Sequence, residues 1–594
     1  MVNFTKILGL TGTALVFAGM AFGQANSTVS GGTANQTPLI RVEGTTELVG
    51  EYTFTVSGNA TGVVLANILD ILSLPVTSKV LATSGTAYTE ALAIVNANGN
   101  SYQGVVSGSQ VTFSGVSIPA GGSTVTIVNI RVNASSLTVG TGTPPAITES
   151  AFISGTNLNS GDTAAAPVAY AFTGLSAQTN FKTVSPGMNG SLGSKGSNNF
   201  LVCQGYKTGG GIIGAVDVGE NFSTAFKGQG PGGPGGLPTA NNNTLGSEFA
   251  NNTETGYQPV GGFGAAGFVY TSTTAAGVNN AGSGGSNTAS TATLIQVAFS
   301  NIPSGVTLYV PTTVNADQST AAVAGPPAVA AVVGGTLTLV ASPSSPTAVA
   351  ASTSSSAAGA TGTNGATAAL TAANGSATAY YLFTPGANSN TLTETFSIGE
   401  YIVQSANTVA SSSTALTAVV SFAPVGSTQI PNFVVGPGST TITLSTFNLC
   451  TTSLLFPFVT NQLGFDTGIA IANTSSDPFG SKGATAQSGT CTMNFYGSGA
   501  PSPSNVATPS IPSGTVYTSV LSGLAPAFQG YIIAQCTFQY AHGFGFITDG
   551  VGANGGLSQG YLAGVIPDTN QVSRGTANPI GSVNALGQGE TLGN

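Results

Sequence analysis

Apolar and polar residues alternate along most of the chain. Segments such as LIRVEG, GEYTFTVSG, QVTFSGVSIP and TVTIVNIRVNA change class at almost every position, which is typical of half-buried β-strands. The segment 63–74 (VVLANILDILSL) is long enough for a helix, but Pro75 and the β-branched residues after it favour a strand. We therefore predict an all-β chain of tandem β-sandwich domains.

Turn-rich and low-complexity stretches divide the strand-rich parts into modules. The predicted parts are a signal peptide at 1–23, a linker at 24–37, an N-terminal β-sandwich at 38–156, one or two central β domains at 165–425, a linker at 426–440, a C-terminal β-sandwich at 441–569 and a disordered tail at 570–594. Two stretches rich in Gly, Ala, Ser and Thr, 228–292 and 316–376, are predicted to be long surface insertions. The alternative is that they hold strands of poor composition, or in the second case a small separate domain.

The charge content is unusually low. Of 594 residues only 5% are charged against 41% hydrophobic, and the formal net charge is −9. The scarcity of Lys and Glu, which usually cover the solvent face of helices, supports the all-β prediction. Lys and Arg are scattered singly, whereas a nucleic acid or an anionic membrane surface requires converging cations, so neither is an expected partner.

The first residues have the pattern of a secretory signal peptide. Lys6 precedes an apolar run from Ile7 to Phe22, and Ala21-Phe22-Gly23 provides a small-x-small cleavage site. The run is shorter than a membrane span needs and contains Gly and Thr. We predict cleavage after Gly23, export to the cell surface or the surroundings, and no membrane span in the mature chain.

An exported chain with an even number of cysteines is expected to form disulfides. The four are Cys203, Cys450, Cys491 and Cys536. Cys491 and Cys536 lie in strand-like segments of one module and are the first candidates for a bond, with Cys450 as the alternative partner. Cys203 is remote in sequence and either pairs with the cysteine that remains or stays free. No CxxC motif is present, so a zinc site is not predicted.

Three residues near the C-terminus formally allow a serine hydrolase. His542 is the only histidine, Asp549 could orient it, and Ser558 lies in GLSQG, which matches GxSxG. That motif works at a sharp turn from a strand into a helix, whereas here a Gly-rich turn leads into another strand. A histidine within a strand hairpin is the better interpretation, and no catalytic residue is predicted.

Two further patterns bear on possible chemistry. The segment 209–214 (GGGIIG) matches the dinucleotide fingerprint GxGxxG, but no helix follows, so a glycine hairpin is the better interpretation. The acidic residues are dispersed, and Asp466, Asp477 and Asp549 lie near turns, where they are expected to cap loops. No cofactor or metal is predicted.

The C-terminal module contains the segments 454–461 (LLFPFVTN), 465–475 (FDTGIAIANTS), 491–497 (CTMNFYG), 528–536 (FQGYIIAQC) and 561–567 (YLAGVIP). Through these segments it resembles an immunoglobulin-like (Ig-like) module of secreted bacterial proteins of unknown function. The N-terminal segments 41–50 (RVEGTTELVG), 102–108 (YQGVVSG) and 111–118 (VTFSGVSI) look like the front domain of similar multi-domain surface proteins. The resemblance implies tandem Ig-like β-sandwiches with long insertions, and it brings no catalytic residues.

The functional expectation is a non-enzymatic structural protein of the bacterial surface, such as a layer, filament or matrix component. Few charges and exposed strand edges favour self-association or association with other surface components, because no strong repulsion opposes it. The alternatives are an adhesin or glycan-binding protein that uses the C-terminal loops around Tyr540–Asp549, and an extracellular hydrolase.

Overall fold

The computed structural model describes residues 26–566 apart from 36, 59–61, 81–84, 181–198, 204, 230–253, 255–288, 320–330, 345, 352–365, 390, 406–407, 410–411, 437–438, 480–483, 485 and 551–555. The described chain is built almost wholly of β-strands in tandem sandwich domains, which confirms the predicted fold class. The predicted signal peptide and C-terminal tail lie outside the described residues.

The N-terminal domain is one large sheet that folds over its own core. Its strands are β1 (Val29–Ala34), β2 (Leu39–Arg41), β3 (Glu47–Leu48), β4 (Tyr52–Ser57), β5 (Val64–Leu72), β6 (Tyr88–Val95), β7 (Asn100–Ser107), β8 (Gln110–Ile118), β9 (Gly122–Val128), β10 (Arg131–Val132), β11 (Ala146–Thr156), β12 (Gly161–Asp162) and β13 (Ala166–Phe172). The order β1-β4-β9-β6-β7-β8-β5-β11-β13-β2 carries β12 beside β11, while β3 pairs with β10. β1 also lies close to the chain just before β13, near the opposite end of this strand order, since the Ala164 N–H donates to the Gly31 carbonyl of β1 at 2.9 Å.

The central domain packs two sheets around a second core. Its strands are β14 (Leu175–Asn180), β15 (Asn199–Leu201), β16 (Tyr206–Glu220), β17 (Leu294–Ser300), β18 (Thr307–Pro311), β19 (Thr313–Asn315), β20 (Thr336–Val340), β21 (Thr367–Ala369), β22 (Ala377–Thr384), β23 (Thr395–Gln404), β24 (Ser412–Ala423) and β25 (Thr441–Asn448). One sheet has the order β14-β16-β23-β18-β21 and the other β15-β25-β24-β17-β22-β20-β19. Phe226 lies between them and contacts the rings of Phe383, Phe396 and Phe422.

The C-terminal domain is a smaller sandwich. Its elements are β26 (Thr452–Thr460), β27 (Asp466–Asn473), β28 (Cys491–Ser498), β29 (Asn505–Ala507), β30 (Val516–Val520), α1 (Leu521–Leu524), β31 (Gln529–Cys536), β32 (Ala541–Thr548), β33 (Ser558–Leu562) and β34 (Gly564–Ile566). A five-stranded sheet, β29-β28-β31-β26-β34, faces a four-stranded sheet, β30-β27-β32-β33. In the described part of the chain no helix is long and apolar enough for a bilayer span.

The structure places several segments differently from the sequence-based boundaries. β1 lies within the predicted linker 24–37 and pairs with β4. β13 and β25 belong to the sheets of the preceding domain, so those domains end near residues 172 and 448. Within the predicted insertion 316–376, β20 pairs with β22 and buries Leu337 and Leu339 in the central core. The stretch therefore holds strands of poor composition, which is the alternative to a surface insertion that the sequence left open.

The predicted linker 426–440 is part of the packed structure. The Phe433 ring is fully buried and stacks on Phe422, with ring centroids 4.8 Å apart. The Val434 N–H donates to the Glu43 carbonyl at 2.8 Å, so this segment joins the N-terminal and central domains. In the sequence, the sign that this segment is packed is its apolar residues, which lie among Gly, Pro and Ser.

All four cysteines form disulfides. Cys491 and Cys536 lie opposite each other on β28 and β31 and are bonded. Cys450, the alternative partner for that pair, is bonded instead to Cys203, which is 247 residues away in sequence. Since Cys450 lies directly after β25 and before β26, its bond ties the junction of the central and C-terminal domains to the strand region around β15.

A buried ionic cluster joins the N-terminal and central domains. Arg41 is fully buried, and its Nε and Nη2 contact Glu47 at 2.9 and 2.7 Å, while Nη2 also contacts Glu254 at 2.7 Å. Nη1 donates to the Ala225 carbonyl and the Thr293 hydroxyl, each at 3.0 Å, so each guanidinium nitrogen has at least one hydrogen-bond acceptor. Burial lowers the pKa of Arg41, but the Glu254 and Glu47 carboxylates outweigh it and raise that pKa.

Glu254 is the described residue within the predicted insertion that reaches this cluster. Its carboxylate binds Arg41, and its main-chain carbonyl accepts from Arg131 Nη2 at 2.6 Å. Arg131 is also paired with Glu90 at 2.9 Å. One residue of the 228–292 stretch therefore neutralises charge at the core of the domain interface, in contrast to the expected surface position.

Glu254→Gln should destabilise the protein strongly. The substitution preserves the shape but removes the charge, so the fully buried Arg41 keeps only one carboxylate partner, Glu47, in contact with its guanidinium. We expect a loss of about 3–5 kcal/mol in the free energy of unfolding, the usual cost of breaking a buried pair. Urea unfolding measures it, with the exposed Asp162→Asn as the matched control. Equal stability of both variants would contradict this role for Glu254.

Two buried carboxyl groups face each other in the N-terminal domain. Asp70 on β5 and Glu149 on β11 are almost fully buried, their carboxyl groups are close enough to share a hydrogen bond, and no described Lys or Arg forms an ion pair with either. Burial raises the pKa of Asp70 to about 7, and burial together with Asp70 raises the pKa of Glu149 well above its ordinary value. Tyr52, whose pKa is raised mainly by burial, is the other titratable group at this pair. We infer a protonated, carboxyl-to-carboxyl contact in the folded state.

This pair should make the N-terminal domain more stable in acid. The folded state raises the pKa of Asp70 from 3.8 to about 7, so its stabilisation is complete below pH 3.8 and is lost as pH rises through 7. One proton held only by the folded state changes the free energy of unfolding by about 1.4 kcal/mol per pH unit. Asp70→Asn cannot ionise, and it should flatten the decline between pH 5 and 7 seen in urea unfolding. Asp162→Asn should keep the parent's slope, and an unchanged slope in Asp70→Asn would refute the assignment.

Candidate functional site

The residues that formally suggested a hydrolase are not brought together. His542 is at the start of β32, opposite Ala472, whereas Ser558 on β33 is opposite Thr548 at the other end of β32. Six residues along a strand separate those ends by about 20 Å. The Ser558 hydroxyl donates to the Thr548 hydroxyl at 2.9 Å. A proton relay between His542 and Ser558 is therefore not possible in this fold.

The glycine motif at 209–214 is part of a strand. It lies inside β16, which pairs with β23 on one side and β14 on the other. The expected glycine hairpin is not formed, because the chain continues straight to Glu220. Without a helix N-terminus after the glycines, the segment lacks the element that binds a pyrophosphate.

Asp466 and Asp477 of the C-terminal domain cap loops, as the sequence predicted for them. Asp466 accepts hydrogen bonds from the Thr467 and Ser522 N–H groups at 2.8 and 3.0 Å. Asp477 accepts from the Phe479 and Ala484 N–H groups at 2.9 and 2.7 Å. These contacts use the carboxylates to hold turns, which accounts for their positions without a ligand.

The most distinctive surface is the outer face of the four-stranded sheet, which we call the C-terminal apolar face. Its outward side chains come from alternating positions of β30, β27, β32 and β33, and they are Val516, Thr518, Val520, Gly468, Ala470, Ala472, His542, Phe544, Phe546 and Leu562. Five of them are large apolar groups that are 39–60% exposed. A soluble sheet usually covers this face with charged or polar groups.

Small residues in the middle strand make a trough in this face. Gly468 and Ala470 of β27 form its floor, Val520 one wall, and Phe544 and Phe546 the other. The open hollow has a volume of about 500 Å³, and no charged side chain lines it. The Phe544 ring also covers Gly560 of β33, where a Cβ would lie 2.6 Å from the ring. The trough is therefore an open groove with an uncharged lining.

Among the residues that the structure describes, both edges of the same sheet are open, since β30 pairs only with β27 and β33 only with β32. Each has five residues, VYTSV and SQGYL, with no charge and no proline. Edge strands in soluble proteins are usually short or are interrupted by charges, prolines or bulges that prevent further pairing. The two edges of the facing sheet follow that rule, since β29 and β34 have three residues each.

A second apolar hollow lies at one end of the C-terminal domain. Phe458, Leu463, Phe465 and Leu557 contribute to its lining, and its volume is about 460 Å³. Leu463 is 93% exposed and has a φ of 56°, a left-handed conformation that is uncommon for a non-glycine residue. No charged side chain lines this hollow either, so the C-terminal domain presents uncharged contact surfaces on a face and at an end.

Comparisons with known proteins add little. No known protein family matches the chain, and no curated protein does. A solved structure described as a membrane anchored protein from Corynebacterium diphtheriae is similar at 8% identity and a TM-score of 0.14, with 88% of this chain and 86% of that chain covered. A score this low carries no argument about fold or function.

Sequence reasoning directed attention to Tyr540–Asp549 but missed the apolar face as a unit. The signal was available in AHGFGFITDG, where Phe544 and Phe546 alternate with glycines, so that the large residues must all point to one side. Their exposure could not be derived, because the alternation does not reveal which side faces the core.

Proposed function

We propose that this chain is an exported structural protein that self-associates at the cell surface or in the surrounding matrix, and that it performs no catalysis. The observation that carries the proposal is the pair of open, uncharged edges that flank the C-terminal apolar face. An isolated chain would leave both the edges and the face in water, whereas an assembly could cover them.

Export is supported by two independent features. The N-terminus has the pattern of a secretory signal peptide. All four cysteines form disulfides, which persist in oxidising compartments outside the cytoplasm. A protein that acts after export meets variable salt and pH, and a surface of Ser, Thr, Asn and Gly stays hydrated under these conditions.

The low charge of the C-terminal domain supports association between copies. Residues 441–569 contain four acidic residues and one lysine. Two of the acids, Asp466 and Asp477, are already engaged in capping. Repulsion between copies is therefore weak, and the apolar face supplies attraction that does not depend on ionic pairing.

Purified residues 24–594 should form ordered particles whose mass rises with concentration. Because the contact surfaces are uncharged, raising the salt concentration about tenfold, from roughly 0.05 to roughly 0.5 M, should change the mass of the particles little. Light scattering across concentration and negative-stain imaging of the same sample measure this. A monomer at every concentration, or amorphous particles without a repeat, would contradict the proposal.

A glycan-binding adhesin is the second candidate, favoured by the two phenylalanines of the trough. The Phe544 and Phe546 rings lie side by side with centroids 6.5 Å apart and planes inclined by 19°. Flat exposed rings can stack on the apolar faces of neutral sugars, and His542 on the same strand could add a polar contact. The hydrolase alternative has no observation of this kind in its favour.

If a neutral glycan occupies the trough, Phe546→Ala should weaken its binding by about tenfold, the effect of one lost aromatic contact. Tyr496→Ala is the matched control, because Tyr496 is also an exposed aromatic but lies on the five-stranded sheet. A glycan array followed by calorimetry measures the difference. Absence of binding by the parent, or equal loss in both variants, would exclude this use of the trough.

A further inference from the structure

The two open edges of the four-stranded sheet run in opposite directions. All three pairings in the order β30-β27-β32-β33 are antiparallel, and the number of strands is even. A second copy placed beside the first in the same orientation would therefore bring its β30 antiparallel to the first copy's β33. Strand direction alone thus permits the sheet to continue from copy to copy.

Unpaired backbone groups lie at matching positions on the two edges. On the β30 side, the Asn473 N–H donates to the Thr515 carbonyl at 2.9 Å, so in the antiparallel alternation Tyr517 and Ser519 bond to β27. The N–H and C=O groups of Val516, Thr518 and Val520 then point away from the sheet. Three residues on this edge are available for pairing.

The β33 edge has the same arrangement. The Ala563 N–H donates to the Gly543 carbonyl at 2.8 Å and the Asp549 N–H to the Leu557 carbonyl at 3.2 Å, so Gln559 and Tyr561 bond to β32. Ser558, Gly560 and Leu562 therefore direct their N–H and C=O groups outward. Each edge offers three residues, and the two sets are complementary in number and direction.

The side chains select one register. With Thr518 opposite Gly560, Leu562 of one copy lies against Val516 of the next, and Val520 lies against Ser558. Val516 and Leu562 are 57% and 60% exposed, so this register covers the most exposed apolar group of each edge. A shift by two residues would put Leu562 against Thr518 and leave Val516 in water.

We infer that β33 of one copy adds to β30 of the next copy, so that the four-stranded sheets join head to tail into an open-ended assembly. This inference rests on the proposed self-association and names its interface. The C-terminal apolar faces of successive copies would then form one continuous apolar surface. Because the two joined surfaces differ, the association does not close into a dimer. A contact of one strand pair is small, so assembly should be reversible and depend on concentration.

A pair of introduced cysteines tests the interface. In the double variant Val516→Cys/Leu562→Cys, the two positions of one copy are three strand spacings apart, about 14 Å, and that is too far for a disulfide. All native cysteines are already bonded, so the introduced thiols are the free ones. Mild oxidation of residues 24–594 should give a ladder of covalent oligomers on a non-reducing gel, with mass spectrometry locating the new bond between the two introduced cysteines. Each single variant should give no species larger than a dimer.

A charge placed at the edge provides the second measurement. Thr518→Lys should raise the concentration at which light scattering detects assembly by at least about tenfold, because a lysine on an edge strand opposes pairing with a further strand. Gln535→Lys is the matched control, since Gln535 is exposed on the five-stranded sheet, away from both edges. Near-ultraviolet circular dichroism of each variant verifies that the sandwich is intact.

The outcomes separate the interface from the proposed function. A ladder in the double variant together with assembly lost only in Thr518→Lys supports head-to-tail joining. Ordered assembly of the parent without a ladder, and unaffected by Thr518→Lys, would overturn this interface and leave the structural function standing. A mass that stops at two copies would overturn the open-ended arrangement. A parent that stays monomeric would overturn both.

Discussion

The structure depends on the neutralisation of Arg41. A guanidinium without water is tolerated only when carboxylates and carbonyls satisfy all its donors, and here the partners come from distant parts of the chain. Glu47 lies six residues away, whereas Ala225, Glu254 and Thr293 belong to the central domain. The N-terminal and central domains cannot separate without exposing this site, so they form one interlocked unit. Phe433 and Phe422 complete the enclosure by packing against the Arg41 guanidinium, whose carbon lies 4.7 and 5.4 Å from their ring centres.

Most of the charged residues that the structure describes are buried. Arg41, Arg131 and Lys227 are buried together at the domain interface, and burial lowers the pKa of Lys227 against the attraction of Glu47. Burial also raises the pKa of Glu220 to about 8, although the Glu394 and Phe226 N–H groups that donate to its carboxylate act in the opposite direction. The ion pairs require ionised carboxylates, whereas the Asp70–Glu149 contact requires a proton. Maximum stability is therefore expected in mild acid, where both requirements are met.

The C-terminal domain differs from the other two domains in how it is stabilised. Its core needs only alternating apolar residues and one cross-strand disulfide, and its outside has few charges. The Cys203–Cys450 bond holds the start of this domain to the central domain, which leaves the four-stranded sheet with its apolar face and edges available. The proposed assembly would use this uncharged, open-edged domain, whereas the buried ion pairs hold the other two domains together.

The amino-acid sequence by itself determined the fold class, the presence of disulfides and the division into strand-rich modules. Alternation sufficed for this, because half-buried strands impose a period of two wherever they occur. In retrospect the same period marks Asp70, which is in phase with the buried Val64, Ala66 and Ile68, and Glu149, which is in phase with Ile147 and Ala151. The alternation therefore indicates that both acids are buried, but it does not indicate that they lie close together.

Only the tertiary structure decided which segments meet. The partnership of Arg41 with Glu254, the bond from Cys203 to Cys450 and the pairing of β25 with β15 all join residues far apart in sequence. Local pattern carries no information on such pairings, because they follow from how the sheets stack. The same holds for the C-terminal apolar face, since alternation shows that Phe544 and Phe546 share a side of β32, and only the packed sandwich shows that this side faces water.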